Sequence, residues 1–274
     1  MPEPSGPVVT RFAPSPTGRL HLGHAYSALL AWSFARRNHG RFLLRIEDID
    51  PERCRPELIE PILEDLAWLE IDWDGDVILQ SGRMNAYAAA LSTLRETGVV
   101  YPDDRTRREI ESGVGISPRR ELEARARQGE KIAWRLDLAA ALKKTGTLRW
   151  SELSGLSEGE AAADVSADAT PHGDIILARK DVPTSYHLAV TVDDADQGVS
   201  HVIRGEDLRE STPVHRLLQS LLGLPAPLYH HHRLIHDPRT GRRFAKSDGS
   251  VTLAHLRELG VTPAQVRARV GLGN

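Results

Sequence analysis

The segment Pro14-Ser15-Pro16-Thr17-Gly18-Arg19-Leu20-His21-Leu22-Gly23-His24 concentrates the residues best suited to chemistry in this 274-residue chain. His21 and His24 stand one helical turn apart, so on a helix their imidazoles share a face. A helix start offers unpaired backbone N–H groups and a partial positive charge, a natural seat for phosphate. Gly23 lets a nucleotide lie close against the backbone, and imidazole N–H groups can bond phosphate oxygens as charge shifts during displacement at phosphorus. Two other readings of the pair stay open: a metal site, for which no third ligand is nearby, and ordinary helix-start residues. Far along the chain, Arg243-Phe244-Ala245-Lys246-Ser247 follows a turn at Asp237-Pro238-Arg239-Thr240-Gly241. Lys246 is a flexible point charge suited to gripping and releasing a triphosphate, although a lysine on a loop also suits a wet surface.

An α/β scaffold is expected to position these groups. Residues 8–12 read as a short buried strand, and the two prolines and Gly18 then force a turn. From about 23 to 38, Leu29, Leu30, Ala31, Phe34 and Ala35 recur at helical spacing, with Gly40 as a C-cap. Phe42-Leu43-Leu44-Arg45-Ile46 is nearly continuous apolar sequence, as in a strand covered on both faces, and completes a β-α-β unit. Ile59, Ile62, Leu63, Leu66 and Leu69 make one amphipathic helix, and Met84, Tyr87, Leu91 and Leu94 another. Such alternation predicts a doubly wound parallel sheet. From Tyr101 the chain turns arginine-rich, then rich in alanine, glutamate and glycine over 151–168, as expected of an inserted subdomain. Strands are expected at 188–192 and 199–203. A helix through Val214, Leu217, Leu218, Leu221 and Leu222 follows Ser211 and Pro213, and two short helices close the chain, the second capped by Thr262 with Pro263 at its first position. The expected organisation is a discontinuous catalytic domain over 1–100 and 185–235, an insertion over 101–184, and a lysine loop with short helices over 236–274.

Composition narrows the function classes. One cysteine, Cys54, excludes an internal disulfide and a multi-cysteine zinc site. The net charge of −3 predicts no generic affinity for nucleic acid. A local basic surface is conceivable where Arg105, Arg107, Arg108, Arg119, Arg120, Arg125, Arg127 and Lys131 crowd together, but the interspersed glutamates also fit a solvated, ion-paired helical face. No run is apolar enough for a membrane span, and the N-terminus lacks an export pattern, so a cytoplasmic protein is expected.

Taken together, His21-Leu22-Gly23-His24 and Arg243-Phe244-Ala245-Lys246-Ser247 resemble the HIGH and KMSKS signatures of class I aminoacyl-tRNA synthetases. Arg11-Phe12-Ala13-Pro14-Ser15-Pro16-Thr17-Gly18, Arg45-Ile46-Glu47-Asp48-Ile49-Asp50 and Val202-Ile203-Arg204-Gly205-Glu206-Asp207-Leu208 look like the glutamyl branch. The resemblance covers nearly the whole chain. It implies a Rossmann-type catalytic domain, with Arg11, Ser15, Glu47, Tyr186 and Arg204 lining a glutamate pocket and His21, Gly23, His24 and Lys246 handling ATP. The chemistry agrees: Arg11 and Arg204 are charged forks suited to carboxylate, and Glu47 suits an α-ammonium. Asp193-Asp194 and Glu206-Asp207 are expected to organise loops, with magnesium arriving on ATP.

After Ser247 only the two short helices fit, so no anticodon-binding domain is expected. That plan resembles the truncated branch that activates glutamate without tRNA and transfers it to the queuosine base of tRNA(Asp). Related enzymes often hold the insertion with a zinc site just after the segment that reads Gly98-Val99-Val100-Tyr101 here. Pro102-Asp103-Asp104-Arg105-Thr106 follows instead, so no zinc is expected and the insertion should be held by packing alone. The lysine loop departs as well, with Arg243 and Ala245 where lysine and serine are usual. A monomer is expected. Three other functions stay open: a minimal enzyme charging tRNA(Glu), a small-molecule nucleotidyltransferase, and a non-catalytic nucleotide- or RNA-binding paralogue.

Overall fold

The structure is a computed structural model and describes residues 6–157, 161–236 and 251–273. Strand β1 (Val9–Phe12) runs into helix α1 (Leu22–Arg37), which returns the chain to β2 (Arg41–Ile46), parallel to β1 with Val9 opposite Arg41 and Phe12 opposite Leu44. Asn38, not Gly40, caps α1, its N–H bonding back to the carbonyls of Phe34 and Ala35. Gly40 is needed for a different reason: a Cβ there would come 2.2 Å from the Val8 carbonyl oxygen. Helix α2 (Ile59–Trp68), the short strand β3 (Ile78–Leu79) parallel to β2, and α3 (Met84–Glu96) follow. Phe42, Leu44 and Ile46 are fully buried against Leu29 of α1 and Ile62 and Leu66 of α2. Burying side chains of this size stabilises by about 1.5–3 kcal/mol each.

The expected insertion divides its strands between two sheets. β4 (Val100–Asp103) leads through α4 (Arg107–Glu111) and α5 (Arg119–Arg127) to β5 (Ala133–Leu136), and α6 (Leu138–Thr145) leads to the hairpin of β6 (Arg149–Leu153) and β7 (Ala162–Ser166) before β8 (Ile175–Ala178). β4, β5 and β8 form their own antiparallel sheet. Packing is not all that holds this region. Asp103 is fully buried, accepts from Arg105 Nε at 2.9 Å and is ion-paired with Arg135, whose Nε lies 2.7 Å away, while Asp104 takes Ser117 Oγ at 2.7 Å and Arg125 Nη1 at 3.2 Å. A carboxylate buried at a strand end requires such cations, which the packing-only expectation overlooked. The arginine-rich face is ion-paired too, as between Arg119 and Glu123 at 2.8 Å.

Helix α7 (Tyr186–Asp196) stands where a strand over 188–192 was expected. The mostly apolar run, interrupted only by Thr191, suits either a buried strand or a buried helix. Ser185 decides locally, its hydroxyl accepting from Leu188 N–H as an N-cap, and the apolar residues pack in one core with Leu91 of α3 and Val214. β9 (His201–Gly205), α8 (Thr212–Leu222) and β10 (Leu228–His232) complete the parallel sheet, and α9 (Leu253–Glu258) and α10 (Pro263–Arg269) end the described chain. β10 pairs in parallel with β9 on one side and β6 on the other. β1 lies beside β9, tied by Ser200 N–H to the Val9 carbonyl at 3.0 Å. The three-stranded sheet β3-β2-β1 and the four-stranded sheet β9-β10-β6-β7 thus meet edge to edge, and the chain order reverses direction between β1 and β9. In a doubly wound sheet that reversal is where ligands bind, beyond the carboxyl ends of the strands.

Candidate active site

A cavity of about 1040 Å³ opens at that point, at the upper end of the roughly 300–1,000 Å³ usual for small-molecule sites. Arg11, Ser15, His21, Gly23, His24, Glu47, Tyr186 and Arg204 all line it. Every described residue of the expected site is thus in one place, although the chain supplies them from four separate segments. Lys246 and the rest of Arg243-Phe244-Ala245-Lys246-Ser247 lie outside the described residues. The flanks of that segment are anchored at the cavity: Leu234 and Ile235 line it, and Thr252 bridges to His21 while Leu253 N–H bonds the Leu20 carbonyl at 2.9 Å.

One wall rests on a buried lattice of charge. Arg11 Nε bonds Asp194 Oδ1 at 3.1 Å, and Arg45 Nη1 reaches the same oxygen at 2.8 Å. Asp193, one residue back on α7, accepts from Gln80 Nε2 at 2.7 Å, Arg83 Nε at 2.6 Å and the Tyr87 hydroxyl at 2.8 Å. These two acids were expected to organise loops; they instead lie within α7 and orient arginines. Burial alone would raise the Asp194 pKa, but the adjacent Arg11 and Arg45 hold it below the ordinary carboxylate range. Glu47 faces the opposite balance, since burial lifts its pKa and Arg45, 3.5 Å away, offsets only part of the shift.

Arg204 is 4% exposed and has three of its donors committed: Nε to His231 Nε2 at 3.1 Å, Nη1 to His215 Nδ1 at 3.1 Å and Nη2 to Thr212 Oγ1 at 2.8 Å. None of these partners is an acid. Among the described residues no carboxylate lies within ion-pair distance of Arg204; Glu152 approaches only as far as His231, which it meets at 2.9 Å, and is itself paired with Arg209. Burial raises the Glu152 pKa, but bonds from the His231 ring and backbone bring it down to about 2. Tyr186 begins α7 rather than preceding a strand, and burial pushes its hydroxyl up to about 12, so it remains a neutral phenol.

His21 and His24 cap α1 reciprocally. His21 Nδ1 accepts from Gly23 N–H at 3.1 Å, and His24 Nδ1 accepts from His21 N–H at 3.2 Å, with the rings 3.8 Å apart. Two amides expected to await phosphate are therefore bonded to side chains. The same bonds leave each Nδ1 bare and place the proton of the neutral ring on Nε2. The donors suited to a phosphate here are imidazoles rather than those amides.

Sequence reasoning named Arg45 and Asp194 without giving them a place at the site, and missed His187, Thr212, His215 and His231. Arg45 carried a signal, because an arginine inside an apolar strand must find acids. Arg135, Asp174 and Arg179, from the segment expected as an insertion, also line the cavity, and Arg179 ties that part to Asp50 after β2 at 3.1 Å. Among the described residues no helix is long and apolar enough to cross a membrane.

A doubly wound sheet with a histidine-capped helix and a cavity lined by Arg11 and Arg204 at its switch point agrees with a sequence match over residues 7–272 to the family described as tRNA synthetases class I (E and Q), catalytic domain, and the chain belongs to that family. Over 97% of the chain it is 44% identical to the whole of a Rhodobacter capsulatus protein named glutamyl-Q tRNA(Asp) synthetase. It is also 38% identical, over 97% of its length, to 57% of a Nitratidesulfovibrio vulgaris glutamate–tRNA ligase. The crystal structure of glutamate-tRNA synthetase from Elizabethkingia anophelis superposes with a TM-score of 0.72 at 27% identity, covering 89% of this chain and 53% of that one. The chain thus spans about half the length of that synthetase.

Proposed function

We propose that this protein activates L-glutamate with ATP, without tRNA, and then transfers the glutamyl group to the queuosine base of tRNA(Asp). The observation that carries the reading is Arg204: a buried guanidinium with no carboxylate of the described residues within ion-pair distance, in a cavity shared with the paired histidines. A cation held out of water is costly unless an anion joins it, so this cavity favours an acidic ligand. Arg11, Ser15, Glu47, Tyr186 and Arg204 bind glutamate, Glu47 meeting the α-ammonium. His21, Gly23 and His24 take the ATP phosphates together with Lys246, and magnesium enters bound to ATP as part of the substrate. The α-carboxylate of glutamate attacks the α-phosphorus in line and pyrophosphate departs; the Nε2–H donors of His21 and His24 stabilise the charge that builds on the phosphate oxygens. A hydroxyl of the modified base then attacks the activated carbonyl and AMP leaves.

The name of the Rhodobacter capsulatus relative, matched over its whole length, supports the queuosine acceptor. The match to a glutamate–tRNA ligase supports a second reading, a minimal enzyme charging tRNA(Glu). In both, segments 1–100 and 185–235 form the catalytic domain, 101–184 is the insertion and 236–274 carries the lysine loop, in a cytoplasmic monomer. Labelled glutamate, ATP and total tRNA from queuosine-containing and queuosine-free sources separate the two. Label confined to the former supports the first reading, and equal labelling supports the second. Absence of glutamate-dependent pyrophosphate exchange without tRNA would remove both the activation step and the proposal.

A further inference from the structure

The bonds around Arg204 fix more than its own orientation. A guanidinium donates and never accepts. Because Arg204 Nη1 faces His215 Nδ1 at 3.1 Å, that nitrogen is bare and the proton of the neutral ring sits on Nε2. His215 Nε2 lies 3.1 Å from His187 Nδ1, so it donates there, and the His187 proton is in turn confined to Nε2. Burial keeps both rings neutral, lowering His187 to about 4 and His215 well below the ordinary histidine value. On its other side Arg204 meets His231, whose Nδ1–H points to Glu152, so that branch ends on an acid already matched by Arg209. The His215 branch ends differently. His187, half-buried in the first turn of α7, lines the same cavity as Arg204.

We propose that His187 is a specificity-determining residue whose Nε2–H, locked in that tautomer by Arg204 through the positioning residue His215, donates to the side-chain carboxylate of the ligand held by Arg204. This rests on the glutamate reading and deepens it. An isolated histidine can reverse its tautomer and accept from an amide as readily as it donates to a carboxylate. This one cannot, because reversal would point a proton from His215 at a guanidinium. A ligand ending in an amide exchanges one acceptor oxygen for an NH2, which finds only N–H donors to face. Discrimination of glutamate from glutamine then comes from repulsion as well as attraction.

The test is pyrophosphate exchange with glutamate and glutamine for wild type, His215→Leu, His215→Gln and His187→Ala, together with 15N shifts of the His187 ring in the ligand-free protein. Nε2 protonated and Nδ1 bare is the expected ring state. His215→Leu and His187→Ala should raise the KM for glutamate roughly tenfold to a hundredfold, the scale of one hydrogen bond to a charged group, with kcat much less affected. His215→Gln should restore the wild-type KM, since an amide accepts from Arg204 through oxygen and donates to His187 through nitrogen. His187 protonated on Nδ1, or a folded His215→Leu protein with unchanged KM and unchanged preference over glutamine, overturns the inference while leaving glutamate activation intact. A wild-type protein without glutamate-dependent exchange instead overturns the underlying reading, and the inference falls with it.

Discussion

Replacement of Arg204 by methionine sets binding against stability. Three of the five guanidinium donors are used by His231, His215 and Thr212. The remainder can engage one carboxylate through two charge-assisted bonds at about 1.5–3 kcal/mol each, so their loss should raise the KM for glutamate roughly a hundredfold to ten-thousandfold. Folding should barely register the change. The variant leaves buried acceptors unsatisfied at about 1–3 kcal/mol each, but it also removes a buried cation with no acid of the described residues beside it, whose desolvation costs several kcal/mol. The net change in unfolding free energy should fall within about 2 kcal/mol of zero. Thermal melting with and without glutamate, beside pyrophosphate exchange, reads both effects. Ligand at a hundred times its Kd stabilises wild type by about 2.7 kcal/mol and should leave Arg204→Met unmoved. A variant that is badly destabilised yet still stabilised by glutamate would refute the view that this arginine is held in reserve for an acid.

Three further outcomes are expected. His24→Ala or Lys246→Ala should slow glutamate-dependent exchange roughly a hundredfold, the scale of one lost transition-state donor; unchanged rates remove the residue from the mechanism. Glu47 has its pKa raised by burial, and only its ionised form pairs with an α-ammonium. Glutamate affinity should therefore be intact above that raised pKa and fall as pH drops through it, at a higher pH than for an ordinary carboxylate, and a Glu47→Gln variant should show weak binding with a flat pH profile by calorimetry. Asp65 of α2 is fully buried, neither oxygen has a hydrogen-bond partner, and burial raises its pKa to about 6 against the partial counter-effect of Arg257 and Arg19. Its folded pKa lies above the unfolded one, so ionisation favours unfolding increasingly from about pH 4 to pH 6 and by a constant amount above. Asp65→Asn should thus be more stable than wild type at pH 8, by up to about 3 kcal/mol, and gain little at pH 4. Equal gains at both pH values would contradict this.

Much of the site was legible because its segments advertise themselves locally. The prolines, glycines and histidines between Pro14 and His24 specify a turn and a helix start whatever surrounds them, and the alternation through Leu94 sets the sheet class. What could not be read depends on partners distant in sequence. Arg11 meets Asp194 across 183 positions, and Arg45 meets it across 149, so no local pattern announces either pairing. The misreading of 188–192 has a related cause: Leu188 to Val192 is buried on every side and apolar but for Thr191, and only the Ser185 cap and the neighbouring helices settle its geometry. The histidines around Arg204 come from α7, α8 and β10, three elements whose convergence is a property of the fold.

The pairing of β6 with β10 bears on how far this chain can be treated as a kit of parts. Tyr229 sits opposite Glu152, so a strand born in the middle of the sequence seals the flank of one born near its end. Excising 101–184 to obtain a smaller catalyst would strip β10 of that neighbour and expose a raw sheet edge, an invitation to self-association. The excision would also delete the acid that receives the His231 proton, so modular trimming would disturb the ligand cavity along with the border of the sheet.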